Sequence, residues 1–278
     1  VAVGYQALDS NTTASNNVAM GTNAGGALTT GASNVAIGTS ALLTEDGHGN
    51  NVAVGFEALK VQNAGADAYN TAVGYQAGVA NTTGTAIVAV GSNALDANTT
   101  GASNVGVGNN ALGANTTASN NTALGTDALA ANTTGSSNVA VGKDAMIANT
   151  TSVNNTAVGY QALDAQTTGT GYNTAIGHSA MSATTTGNVQ VAVGANSLLT
   201  NTTGSQNTAV GGNALYSNTT GSDNVAVGHN ALDANTTASN NVAVGKDALT
   251  ANTTGANNVA VGASALDAVT TGSNNIGI

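Results

Sequence analysis

A seventeen-residue phrase, spelled most cleanly as VAVGKDALTANTTGANN from Val242 to Asn258, recurs along the whole 278-residue chain. It starts at Val1, Val18, Val35, Val52, Thr71, Val88, Val105, Thr122, Val139, Thr156, Thr174, Val191, Thr208, Val225, Val242 and Val259, and a seventeenth start is cut off at Ile276. The step is seventeen except for nineteen after Val52 and eighteen after Thr156. A period of this size specifies a stack of equivalent units, because one unit is too small to enclose a core of its own. Burying the three large aliphatics of a repeat yields roughly 2 kcal/mol each, while ordering the backbone costs about 1 to 2 kcal/mol per residue. The units must therefore stack and share hydrogen bonds. At about 4.8 Å per coil, sixteen coils predict a rod roughly 75 to 80 Å long.

Positions 1 to 3 alternate with β-branched residues, as in Val139-Ala140-Val141 and Thr174-Ala175-Ile176, and predict a strand. Position 4 is glycine in every full copy: Gly4, Gly21, Gly38, Gly55, Gly74, Gly91, Gly108, Gly125, Gly142, Gly159, Gly177, Gly194, Gly211, Gly228, Gly245 and Gly262. A corner that needs positive φ or close backbone approach accounts for them. Positions 6 to 8, as in Asp247-Ala248-Leu249, predict a second short strand with one inward anchor, and positions 11 to 17 (Asn-Thr-Thr-Gly-x-Asn-Asn) read as turn residues, with Thr-Thr as a third strand. The Gly and Thr density and the aliphatic spacing contradict helix. The predicted fold is an all-β parallel solenoid of about sixteen coils, one repeat region over 1–278. Starting in phase at Val1 and stopping in mid-repeat, it reads as an interior piece of a longer fibre protein.

If positions 1 and 3 face inward, position 2 faces outward. It is alanine in fifteen copies: Ala2, Ala19, Ala36, Ala53, Ala72, Ala89, Ala123, Ala140, Ala157, Ala175, Ala192, Ala209, Ala226, Ala243 and Ala260, with Gly106 the exception. A solvated face drifts toward polar residues, so this stripe is expected to be a chain–chain interface, most simply of a parallel homotrimer. The alternative is that a narrow coil has no room for a larger side chain there.

Composition limits the functions available. Thirteen acids against three lysines give a net charge of −10, and no basic patch exists to bind a nucleic acid. No segment approaches the roughly 18 apolar residues of a membrane span. Hydrophobic residues are 41% of the chain and hold a fixed phase, which argues for order rather than low-complexity disorder.

Asn17-Val18-Ala19-Met20-Gly21, Asn155-Thr156-Ala157-Val158-Gly159-Tyr160-Gln161-Ala162-Leu163 and Asn241-Val242-Ala243-Val244-Gly245 resemble the head repeats of YadA-like trimeric autotransporter adhesins. They look still more like the NTAVGYQAL…NTTG tracts of phage tail-fibre-type proteins. The resemblance covers the whole chain. It implies a left-handed parallel β-roll, three chains per fibre, and a role in attaching to surfaces. The YadA-type repeat is usually shorter than this one, and no neck, stalk, anchor or chaperone domain accompanies it here.

Catalysis needs converging nucleophile, base and oxyanion groups, whereas His48, His178 and His229 fall in separate repeats, so no enzyme and no cofactor are expected. Glu45, Asp46 and His48 form the one local cluster, in a repeat that has lost Asn-Thr-Thr. It reads as a solvated loop, with no metal assigned. Acids at position 9 (Asp9, Asp96, Asp164, Asp233, Asp267) and position 6 (Asp127, Asp144, Asp247) read as dispersed solubilising charge. Tyr5, Phe56, Tyr75 and Tyr160 share position 5; surface contacts to a glycan or receptor, or packing over the corner, both fit. The longer repeats, at Lys60 to Asn70 and near Gly171-Tyr172, should bulge.

The expected function is a non-enzymatic structural or adhesive rod of an extracellular or phage tail fibre, on a cell surface or virion, partnered mainly by itself. A self-assembling surface filament is one alternative. An ice-binding solenoid using the Thr-Thr ladder is another, although adjacent strand residues face opposite ways and leave one outward Thr row.

Overall fold

The computed structural model describes residues 1–278. It contains no helix and seventeen short parallel strands, one per repeat, forming a β-solenoid. The chain divides into two compact units, Val1–Ser137 and Asn138–Ile278. The first carries β1 (Ala2–Val3), β2 (Val18–Met20), β3 (Val35–Ile37), β4 (Val52–Val54), β5 (Thr71–Val73), β6 (Val88–Val90), β7 (Val105–Val107) and β8 (Thr122–Leu124). The second carries β9 (Val139–Val141), β10 (Thr156–Val158), β11 (Thr174–Ile176), β12 (Val191–Val193), β13 (Thr208–Val210), β14 (Val225–Val227), β15 (Val242–Val244), β16 (Val259–Val261) and β17 (Ile276–Gly277). Within each unit a strand pairs with the next in sequence, like residue on like: Ala36 faces Ala53 between β3 and β4, and Ala226 faces Ala243 between β14 and β15.

Each coil has one strand, not the two or three its sequence predicts. Positions 6 and 8 take positive φ in every coil, as at Asn213 (φ 55°) and Leu215 (φ 52°), which no extended strand permits. Their N–H groups bond alternately to either side. Asn213 N–H donates to Ala195 O of the preceding coil at 3.0 Å, and Leu215 N–H to Ala231 O of the following one at 3.0 Å. Asn and Asp tolerate left-handed backbone at position 6, while leucine at position 8 offsets the strain by complete burial. The position-4 glycine is required twice over: at Gly211 φ is 135°, and a Cβ would lie 2.5 Å from Gly228 O.

The alanine stripe faces inward, opposite to the expectation. From Ala19 to Ala260 every position-2 alanine is fully buried, and only Ala2 of the first coil is exposed. The exception, Gly106, gives the reason: a Cβ there already meets Ala111 O at 3.1 Å and Leu95 Cγ at 3.3 Å. The position-8 leucine lies across the strand, so the coil interior admits a methyl group at position 2 and little more. Positions 1 and 3 consequently turn outward, and the enclosed alanines cannot form the chain–chain interface expected of them.

A row of position-7 alanines, such as Ala94 and Ala111, is buried as well, and the remainder of the core is largely polar. Two rows of asparagine, at positions 11 and 17, run through the interior, as at Asn218 and Asn224, both fully buried. Where the first row runs uninterrupted, an amide donates to the one in the preceding coil, as Asn98 Nδ2 does to Asn81 Oδ1 at 2.7 Å and Asn218 Nδ2 to Asn201 Oδ1 at 2.9 Å. In the second row the side-chain oxygen accepts the next coil's backbone N–H, as Asn258 N–H donates to Asn241 Oδ1 at 2.9 Å. The rows converge on the position-14 carbonyl. Ala118 O accepts from Asn115 Nδ2 at 3.1 Å and from Asn104 Nδ2 at 2.7 Å. Enclosed amides without such partners would each forfeit about 1 to 3 kcal/mol.

Candidate interaction surfaces

The inward turn of position 2 puts the larger aliphatics of the strands on the outside. Position 3 is aliphatic in every full copy, and the strand register lines these residues up. In the second unit Ile176, Val193, Val210, Val227, Val244 and Val261 stand opposite one another in consecutive coils. Their exposure is substantial, 40% at Val261 and, inside the first unit's stack, 47% at Leu124, with Val3 of the end coil at 55%. Beside them runs the Val/Thr row of position 1. These residues form a regular apolar band along the sheet face of each unit rather than a scatter of single side chains.

Position 5 forms a second ladder just beyond the glycine corner. Phe56 and Tyr75 stack with ring centroids 5.4 Å apart and planes 9° from parallel, and both are exposed. Next to them Glu57 pairs with Lys60 at 2.7 Å and accepts from Gln76 Nε2 at 2.9 Å, so the Lys60 ammonium and then the Gln76 amide hold its carboxyl below the usual range. In the second unit Tyr160 lies 5.4 Å from the His178 ring, with Lys143 Nζ 5.7 Å from its own ring centroid. The aromatic groups thus lean on one another along the stack and keep their edges in solvent. Tyr5 is exposed in the first coil.

The threonine pair presents one outward row. Position-12 hydroxyls donate to the next coil's backbone, as Thr82 Oγ1 does to Thr99 O at 2.9 Å and Thr219 Oγ1 to Thr236 O at 3.0 Å. Position-13 residues such as Thr83 and Thr220 are exposed. Three of the five acids at position 9 are less solvated than dispersed surface charge would be: burial pushes the carboxyls of Asp96, Asp164 and Asp233 up, whereas Asp9 and Asp267 are exposed. Asp247 is held down instead, by Lys246 and then Asn230. The extra residues of the long repeats do lie outside, at Asn63 and Gly65 to Asp67 and at Gly169 and Thr170. Asp67 reaches back to the preceding coil, accepting from Gly49 N–H at 2.8 Å and Asn50 Nδ2 at 2.9 Å.

Glu45 corrects the reading of its loop. It occupies position 11, the place of a ladder asparagine, and its side chain is completely buried. Of the cluster, Asp46 is exposed and His48 half-buried. The sequence does not announce this, because Asn-Thr-Thr reads as turn chemistry, in which an asparagine replaced by glutamate carries no message about burial.

No family model matches this chain, and no curated protein matches its sequence. The surfaces themselves must carry the functional reading.

Proposed function

We propose that the chain is a non-enzymatic structural and adhesive element of an extracellular or phage tail fibre, working on a cell surface or virion as a parallel homotrimer. One observation carries the reading: the in-register aliphatic row of position 3, flanked by the Val/Thr row of position 1 and exposed along each unit. A partner of the same sequence presents the same band at the same spacing, so self-association buries it row against row. The repeat phrases that resemble adhesin heads and tail fibres point the same way, and the exposed Phe56–Tyr75 stack offers a contact for a glycan or receptor. Stability drawn from nearest-neighbour coils suits a mechanical role.

The test is native mass by sedimentation at micromolar concentration. The expected mass is three times the 26.4 kDa of one chain. Replacing Val210, Val227 and Val244 with glutamate should return a monomer that keeps its far-ultraviolet circular dichroism. Open-ended growth would favour a surface filament, and a wild-type monomer would overturn self-association.

A further inference from the structure

Glu45 places a carboxylate in a row otherwise built of neutral groups. Oε1 accepts the His48 backbone N–H at 3.2 Å and lies 3.3 Å from His48 Nδ1, while Oε2 of the same enclosed carboxylate has no hydrogen-bond partner. Asp46 brings a second carboxylate from the solvent side, and one ligand atom from each of Glu45, Asp46 and His48 lies within 4.8 Å of the other two. The imidazole is partly exposed, so the cluster opens to water. Its supports are fixed by the preceding coil: His48 O accepts from Asn34 Nδ2 at 3.0 Å, and Asp46 O from Thr29 Oγ1 at 2.8 Å and Thr29 N–H at 2.7 Å.

We propose that Glu45, Asp46 and His48 bind a divalent transition-metal ion of the zinc type, with water completing its coordination. The separation of Nδ1 from Oε1 is close to the edge of a coordination shell with bonds of about 2.0 to 2.2 Å. Rotation of the exposed Asp46 side chain closes the third side. An imidazole among two carboxylates selects zinc, cobalt or nickel over calcium and magnesium, which favour all-oxygen sites. The ion also answers a need of the fold, since a buried carboxylate with an unpartnered oxygen is unfavourable until a cation joins it.

Titration of the full chain with zinc chloride by calorimetry, and with cobalt chloride by visible absorption, tests the site. One equivalent per chain is expected, with a cobalt spectrum carrying nitrogen and oxygen ligation. His48→Ala should weaken binding at least tenfold. Glu45→Asn, which restores the ladder amide and so keeps the fold, should abolish it along with the zinc-induced rise in Tm. His178→Ala, in a different coil, should change nothing. No saturable uptake, uptake unaltered by His48→Ala, or equal losses from His48→Ala and His178→Ala would each overturn the proposal.

Discussion

Leu28 fills the space above Gly25: a Cβ added to that glycine would stand 2.8 Å from Leu28 Cδ1. Gly25 holds position 8, where other coils carry the core leucine, and Leu28 holds position 11, where they carry the ladder asparagine. The coil has exchanged its anchor from one row to another. The same exchange occurs at Gly78, whose missing side chain is replaced by Ile87 from position 17, with Ile87 Cδ1 3.6 Å from the place of its Cβ. Leu28→Asn alone should open a cavity and lower stability by about 2 to 5 kcal/mol, and Gly25→Leu alone should overpack. Gly25 already has φ 56°, close to the value of the leucines that hold its position elsewhere. The double variant should therefore recover most of the loss, seen as a strongly non-additive cycle in denaturant unfolding.

Asn218 sits mid-ladder, donating to Asn201 Oδ1 at 2.9 Å and Gly221 O at 3.0 Å and accepting from Asn235 Nδ2 at 2.9 Å. Asn218→Ala should lower stability by about 1 to 3 kcal/mol through partners left unpaired. Asn218→Asp should cost more at neutral pH, because an unpaired charge enters an enclosed row. Thermal melts at about pH 7 and about pH 3.5 should show the Asp variant partly recovering as its carboxyl protonates.

Asp164 and Asp233 have carboxyls raised by burial. A raised folded-state pKa favours the protonated form, so the contribution to stability is full below the unfolded value of about 3.9 and lost as pH rises through the folded one. Asp164→Asn and Asp233→Asn should accordingly raise Tm at neutral pH, and the gain should vanish near about pH 3. A gain equal at both pH values would contradict the assigned cause.

Gly211 and Gly65 separate close approach from backbone strain. Gly65 has φ 73° and nothing within 4 Å of its Cβ position, whereas Gly211 faces Gly228 O at 2.5 Å. Gly65→Ala should cost about 1 to 2 kcal/mol, the left-handed strain alone. Gly211→Ala should cost clearly more and broaden the unfolding transition, because the adjacent coil must move.

The parallel solenoid was legible because a fixed period needs no tertiary knowledge: the aliphatic at Val210 and the glycine at Gly211 recur in phase even where the first residue changes from valine to Thr208. The inside and outside of the strand were not legible. Val-Ala-Val alternates equally well in either phase, and only the reach of Leu95 toward Gly106 decides that the small residue is enclosed. Nor did Asn218 and Asn224 announce their burial, since asparagine beside threonine and glycine is ordinary turn composition. Recurrence at two fixed positions was the available signal, as a turn needs asparagine far less often than a closed ladder does. Glu45 was hidden for the same reason, and its candidate site became visible only once its row was known to be internal.

Like-on-like pairing also governs how such a gene can change length. Excision of residues 208–224, one whole repeat, would leave Ala192 beside Ala226 and Asn201 beside Asn235, each meeting the residue type it already faces. Loss of a single residue from a strand would instead turn a valine into the space that admits only a methyl group. Recombination between repeats can thus lengthen or shorten this chain in steps of one coil at little cost to folding, whereas frame-preserving changes of other sizes must be absorbed in bulges such as Asn63 to Asp67.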